Sequence, residues 1–289
     1  MKNIGFIGLG NMGKGMAINL SSNNYNVIGY DLNRNVFDKL SDKNISEGKD
    51  IEDVVKQSEI IITMLPDGIA VKEVWNKIIN IASAKSIIID CSTIDVKTSL
   101  KVQKKAQNKN LLTLDAPVSG GVMGSNDGTL TFMVGGERKT YNKVKNLFEI
   151  MGKKNILCGS FGAGQSAKIC NNMLLASTMI AVGESFKLAK KLNLDLNKLY
   201  DVLSTSSGSC WAINNYCPYK GIGPKSPSDD DFKAGFSSAL MLKDLTLAMS
   251  AAKETNTKIN YGLQSHKKFQ SIVQKKKGHF DFSYVVNEG

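Results

Sequence analysis

Imidazole is almost missing from this chain: two histidines, His266 and His279, stand among 289 residues. Both fall in lysine-rich stretches near the C-terminal end and read as surface residues without partners. Any acid–base step the chain carries out therefore calls for another base. Cysteine is equally uninformative as a ligand set. There are five (Cys91, Cys158, Cys170, Cys210 and Cys217), an odd number with no C-x-x-C pair. With so few histidines this argues against a zinc site and against a disulfide framework. Reduced thiols fit a cytosol-like compartment. No apolar run reaches the ~18 residues of a membrane span. The first strand pattern begins at Asn3, leaving no room for a targeting segment. The expectation is a cytoplasmic protein in a bacterium, or a mitochondrial matrix protein only with a presequence outside this chain.

Acidic residues are also in deficit, 26 against 37 basic ones, for a net charge of +11. The lysines are spread out, and the densest run, Lys275-Lys276-Lys277, is three long. Aromatics do not interleave with them as a nucleic-acid platform requires, so a nucleic-acid partner is not expected. The excess reads as a solvated lysine-rich surface that draws in an anionic cofactor and a carboxylate substrate.

What is present is a long alternation. A hydrophobic content of 42% over this length suits about two domains. Short apolar runs at 3–8, 26–31, 59–64, 86–90 and 111–115 predict strands. Helical patterns at 12–22, 34–39, 51–55, 69–81 and 96–108 separate them. Strands at 129–134 and 155–158 flank a helix near 137–151. This order predicts an α/β fold, an N-terminal Rossmann doubly wound and mostly parallel sheet. After Gly162-Ala163-Gly164 the pattern changes. Apolar residues recur at helical spacing over 165–192, a helix of about 40 Å at ~1.5 Å per residue, read as a spine joining two domains. Helices at 196–203, 237–253 and 261–275 follow. The stretch 216–235, rich in Pro, Gly, Ser and Asp, reads as a long functional loop. The predicted domains are 1–161, dinucleotide-binding, and 162–289, all-helical. No internal repeat or low-complexity tract is visible.

Gly8-Leu9-Gly10-Asn11-Met12-Gly13 follows the first strand and opens a helix. Gly8 permits the tight turn, Gly10 lets backbone approach a pyrophosphate, and Gly13 lets the helix pack on the strand. A pyrophosphate then sits on free N–H groups at the helix N-terminus. Asp31, 21 residues beyond Gly10, ends the second strand. A carboxylate there binds ribose hydroxyls and repels a 2′-phosphate, favouring NAD over NADP, while Arg34 three residues on could soften that preference. Gly8 to Lys14 also matches a phosphate-loop pattern, but Gly15 replaces the Ser or Thr needed for magnesium. Leu65-Pro66 and Cys91-Ser92-Thr93 follow later strands at the edge where such sheets bind ligands, although ordinary turn chemistry explains Leu65-Pro66 equally well.

Lys168 is the candidate base. It lies early on the spine helix with Asn172 one turn on, on the same face. Burial in a cleft lowers a lysine pKa towards the range useful for proton transfer. Spacing alone leaves open a solvated helix lysine. Asp115-Ala116-Pro117-Val118-Ser119-Gly120-Gly121 follows a strand and offers a hydroxyl and backbone N–H groups to a carboxylate, or is a plain loop.

Together these segments resemble the β-hydroxyacid dehydrogenase family over nearly the whole chain. Phe6 to Gly13 is similar to its cofactor signature, Asp115 to Gly121 to its substrate segment, Gly162 to Asn172 to its catalytic segment, and Lys243-Asp244-Leu245 to its cofactor-side lysine motif. Residues 62–66, 92–95, 167–176 and 206–211, followed by Tyr216 and Pro218, are similar to members acting on 3-hydroxyisobutyrate. The resemblance implies NAD-linked oxidation of that hydroxyacid to methylmalonate semialdehyde, as in valine breakdown, without a metal. Related substrates, L-serine or tartronate and succinic semialdehydes, are the alternative. It implies Lys168 as the catalytic lysine. Ser119, Gly120, Gly121 and Asn172 would hold the substrate, with Trp211 and Tyr216 as its walls or as plain packing. Gly8, Gly10, Asn11, Met12, Gly13, Asp31, Leu65, Pro66, Thr93 and Lys243 would hold NAD. It further implies a homodimer or homotetramer with no membrane partner. The chain departs from the family at Ala70, where Asn or Gln is frequent, at Ser209, where close relatives carry arginine, and in the acidic run Asp229-Asp230-Asp231.

Overall fold

Strand alternation organises the first part of the computed structural model, which describes residues 3–40 and 43–288. The elements run β1 (Asn3–Ile7), α1 (Gly13–Ser22), β2 (Asn26–Tyr30), a 3₁₀ turn (Arg34–Lys39), β3 (Ile45–Glu47), α2 (Ile51–Lys56), β4 (Ile60–Thr63), α3 (Gly68–Ile81), β5 (Ile87–Asp90), α4 (Val96–Gln107) and β6 (Leu112–Asp115). Then come β7 (Val118–Ser119), α5 (Gly121–Asn126), β8 (Leu130–Gly136), α6 (Arg138–Met151) and β9 (Gly152–Gly159). The strand order is β3-β2-β1-β4-β5-β6-β8-β7, with β9 beside β8. Pairing is parallel from β3 through β6, antiparallel between β6 and β8 and between β7 and β8, and parallel again to β9. This is the doubly wound sheet expected from the sequence.

Side chains on successive strand residues point to opposite faces, and the two cores follow that rule. Ile4, Phe6, Ile60, Ile62, Ile87 and Ile89 bury one face against Met16, Ala17 and Leu20 of α1 and Val144 and Phe148 of α6. Ile7, Ile61 and Ile88 bury the other against Val54, Val71, Trp75 and Val102 of α2, α3 and α4. A strand covered on both faces reads as a continuous apolar run, which is why Ile60-Ile61-Ile62 shows no polar alternation.

Several short elements were not expected, among them β3, β7, α5, and a later four-residue helix. Each is too short for periodicity to register. The predicted helix at 34–39 is a 3₁₀ turn whose start is capped by Asn33. The strand expected at 155–158 begins earlier, at Gly152, where a Cβ would stand 2.3 Å from the carbonyl oxygen of Leu130. Glycine lets β9 start at once after α6.

The remaining elements are α7 (Ala163–Lys191), α8 (Leu196–Thr205), α9 (Trp211–Asn214), a 3₁₀ turn (Pro227–Asp230), α10 (Ser238–Glu254), α11 (Asn260–Gln274) and a 3₁₀ turn (Phe282–Asn287). Two compact units result, Met1–Lys168 and Ile169–Gly289, dividing inside α7. The second has its own core, including Met179, Phe186, Met241, Leu245, Phe269 and Phe282. Its stretch 216–235 is internally bonded: Asp229 accepts the N–H groups of Gly221 (2.8 Å) and Ser226 (2.9 Å), and Ser226 Oγ donates to the Cys217 carbonyl (2.6 Å). Asp229 of the acidic run therefore shapes the loop. Among the described residues no helix is long and apolar enough to cross a membrane.

Candidate active site

The glycine loop has the geometry its sequence requires. Gly8 has φ +97°, and a Cβ there would meet the Met64 carbonyl oxygen at 2.2 Å. On Gly13 it would stand 1.9 Å from the Gly8 carbonyl oxygen, so only glycine lets the loop close on itself. Gly10 differs: nothing in the chain lies within 4 Å of its Cβ position. Gly10 and Asn11 are exposed, and α1 starts two residues later. The side of the loop at Gly10 is thus open, next to the start of α1. Asp31 closes the other side: Oδ2 accepts the Leu9 N–H (2.7 Å) and Oδ1 that of Asn33 (2.8 Å).

Gly15, which argued against a phosphate loop, has a packing reason. A Cβ there would meet Ser125 Oγ at 2.6 Å, because α5 lies against α1. Ser125 Oγ also donates to the Met12 carbonyl. The segment leading into α5 is the predicted substrate segment. Ser119 ends β7 half-buried, and Gly120 and Gly121 follow at φ +137° and +64°, turning the backbone as residues with a Cβ rarely do. Within the first unit, the predicted cofactor loop and substrate loop therefore neighbour one another.

Asp115, at the head of that segment, is fully buried. Its Oδ1 accepts the Gly162 N–H (2.8 Å) and Gln103 Nε2–H (3.1 Å), and its Oδ2 accepts the Gln165 N–H (3.0 Å). It thereby anchors the start of α7, the helix that carries Lys168. Lys168 is only 7% exposed, which removes the solvated helix lysine left open by its spacing. Leu65 is half-buried and donates its N–H to Ser92 Oγ (2.8 Å), and Pro66 beside it is exposed. Thr93 is half-buried between Ser92 and Ile94.

In the second unit Asn172 is buried. Its Nδ2 donates to Asp244 Oδ2 (2.6 Å), and its Oδ1 accepts from Asn171 Nδ2 (3.0 Å). Lys243 Nζ lies 3.5 Å from Asp244 Oδ1. Asp244 thus joins two predicted site residues, a role the sequence reading did not give it although it stands in the Lys243-Asp244-Leu245 motif. Trp211 and Tyr216 stack with ring centroids 4.9 Å apart, and Tyr216 stacks in turn on Phe282 at 5.4 Å. The Tyr216 hydroxyl donates to Asp281 Oδ2 (3.0 Å), and burial beside that carboxylate holds it protonated well above the usual tyrosine range. Trp211 remains 50% exposed. His266 corrects an expectation: it is half-buried, burial lowers its pKa, and Nε2 lies 3.1 Å from Thr246 Oγ1. A partner on the adjacent helix is invisible to sequence spacing.

Two family models divide the chain between them. Residues 3–160 match the NAD binding domain of 6-phosphogluconate dehydrogenase, and residues 162–288 match the NAD-binding region of NADP-dependent 3-hydroxyisobutyrate dehydrogenase. The mitochondrial 3-hydroxyisobutyrate dehydrogenase of Drosophila melanogaster is 43% identical over 99% of this chain and 89% of its own length. The mouse (Mus musculus) mitochondrial protein of that name is 39% identical over 98% and 85%. Among solved structures, Mycobacterium tuberculosis 3-hydroxyisobutyrate dehydrogenase with L-serine is 39% identical. It covers 99% of this chain and 98% of its own, with a TM-score of 0.95.

Proposed function

The chain belongs to the 3-hydroxyisobutyrate dehydrogenase family and is an NAD(P)-binding oxidoreductase, and from that premise we propose that it oxidises 3-hydroxyisobutyrate to methylmalonate semialdehyde with NAD, in valine breakdown. The observation that carries this reading is the burial of Lys168 on a helix whose start is held by the carboxylate of Asp115.

Gly8, Gly10, Asn11, Met12 and Gly13 would hold the diphosphate, Leu65, Pro66 and Thr93 are further cofactor residues of the first unit, and Lys243 is the cofactor-side lysine carried by the second. Asp31 binds the adenosine ribose. Arg34, the side chain best suited to a 2′-phosphate, is already engaged. It donates to Glu47 Oε1 (2.7 Å), to the carbonyls of Gly48 (2.8 Å) and Lys49, and lies over the Tyr30 ring at 4.9 Å. That engagement and the Asp31 charge favour NAD. Bound nicotinamide supplies the hydride acceptor. Ser119 and the N–H groups of Gly120 and Gly121 take the substrate carboxylate. Neutral Lys168 removes the hydroxyl proton as the carbinol hydrogen leaves as hydride, and its ammonium then stabilises the new carbonyl oxygen. Asn172, its amide oriented by Asp244 and Asn171, hydrogen-bonds to the substrate.

Lys168→Ala tests the assignment. Turnover should fall by about 10²- to 10⁴-fold while NAD binding changes little, and activity within a few fold of the parent would refute it. L-serine, present in the solved M. tuberculosis relative, is the second reading, since it offers the same hydroxyl and carboxylate. Comparing kcat/KM for the two acids decides between them. Homodimer or homotetramer assembly belongs to the same reading. The second unit exposes Leu174, Leu188, Leu192 and Val202, and sedimentation velocity tests it.

A further inference from the structure

Gln165 is fully buried and the proposed chemistry does not use it. Its side chain makes a two-pronged bond to the loop between β5 and α4. Oε1 accepts the Ile94 N–H (3.1 Å), and Nε2 donates to the Ser92 carbonyl (2.7 Å). Those two peptide groups bracket Thr93. The backbone N–H of Gln165 meanwhile donates to Asp115 Oδ2 (3.0 Å). One residue therefore ties three segments: the turn holding Thr93, the head of the segment leading to Ser119, Gly120 and Gly121, and the first turn of α7. Lys168 stands three residues on, a rise of about 4.5 Å.

The packing around this tie leaves no slack. A Cβ on Gly164 would stand 2.3 Å from the Met133 carbonyl oxygen and 2.8 Å from Asp115 Oδ2. One on Gly135 would stand 2.5 Å from Asp115 Oδ1. The loop is secured beyond the tie as well, because Ser92 Oγ accepts the Leu65 N–H (2.8 Å). The chemistry of the side chain is specific. Bridging a peptide N–H and a peptide C=O needs one acceptor and one donor on the same planar group, which a carboxamide has. A carboxylate lacks the donor, and methionine has no donor and only a weak thioether acceptor.

We propose that Gln165 is a positioning residue for hydride and proton transfer, fixing Lys168 against the Thr93 turn. The proposal rests on Lys168 as the base and on Thr93 at the cofactor. Both transfers need donor and acceptor held within a fraction of an ångström, and loss of that register lowers the rate of the chemical step itself.

The test compares Gln165→Met and Gln165→Glu with the parent enzyme, with turnover counted per NAD-binding site so that unfolded protein does not enter. In Gln165→Met, kcat should fall about 10- to 100-fold with the NAD Kd within about threefold. The isotope effect on kcat with substrate deuterated at the carbinol carbon should rise as hydride transfer becomes limiting. Gln165→Glu should recover relative to the parent as pH falls, because a protonated carboxyl offers both an O–H donor and a C=O acceptor. If Gln165→Met does not fold, that pH-dependent ratio decides alone. Turnover per site within threefold of the parent, an unchanged isotope effect, or a pH-independent ratio for Gln165→Glu would overturn the proposal. Lys168→Ala run alongside separates the two readings: if it stays active, the base assignment falls. If it is inactive while the Gln165 variants match the parent, only the positioning role falls.

Discussion

Asp31 Oδ2 accepts the backbone N–H of Leu9 at 2.7 Å, so the acid proposed to choose the cofactor also braces the glycine loop. The two roles separate by mutation. Asp31→Asn keeps an acceptor for Leu9 and removes the charge, and should move the NADP:NAD affinity ratio towards NADP by about tenfold, the effect of ~1.4 kcal/mol. Asp31→Ala removes the brace as well and should weaken both cofactors. Fluorescence titration of both nucleotides checks this, and an unchanged ratio in Asp31→Asn would place the selectivity elsewhere.

Glu47 Oε1 accepts a hydrogen bond from Arg34 Nη1 at 2.7 Å, one of the contacts proposed to keep Arg34 from a 2′-phosphate. Glu47→Gln should tighten NADP about two- to fivefold, in keeping with the worth of an exposed ion pair, and leave NAD alone. Arg34→Ala on the same background should cancel the gain. A gain that survives loss of Arg34 would show that the pair is not its source.

Asp90 ends β5 fully enclosed. Its Oδ1 accepts Thr63 Oγ1–H (2.9 Å) and the Ser92 N–H (3.1 Å), while Oδ2 has no hydrogen-bond partner. Burial pushes its carboxyl up to about 6. The folded chain then binds more protons than the unfolded chain between about pH 4 and 6, so stability falls as pH rises through that window. The contribution is at most about 3 kcal/mol. Asp90→Asn should flatten the slope in urea melts taken from pH 4 to 7, and a decline as steep as the parent's would contradict the assignment.

Tyr216→Phe removes one donor from Asp281, whose Oδ2 also accepts the N–H groups of Gly235 and Phe236 (3.1 Å each) and whose Oδ1 takes Ser283. Stability should drop by about 1–2 kcal/mol. The hydroxyacid KM should stay within about twofold because the ring stack with Trp211 and Phe282 survives. A large KM change at unaltered stability would make the hydroxyl a substrate contact.

Much of this was legible in the sequence because it is local. Gly8 and Gly13 follow from a turn that a Cβ would block, and the strands at β1, β4 and β5 from runs buried on two faces. The 3₁₀ turn at Arg34–Lys39 and the partner of His266 were not, since both depend on what lies beside them. Gln165 stood inside a recognised segment yet carried no signal of its own. Its partners Ser92 and Ile94 are over seventy residues away, and no periodicity reports a long-range side-chain bond.

The sequence by itself determined the class of fold, the dinucleotide loop and the family, because each rests on residue type at fixed short spacing. Lys168 was a candidate there and no more, one lysine in a chain full of them. Tertiary structure decided its burial, and it decided that Arg34 is spoken for and that Asp115 and Gln165 hold the helix start. Burial and long-range hydrogen bonds exist only once distant segments are packed, and those are the quantities that separate a buried lysine from a solvated one.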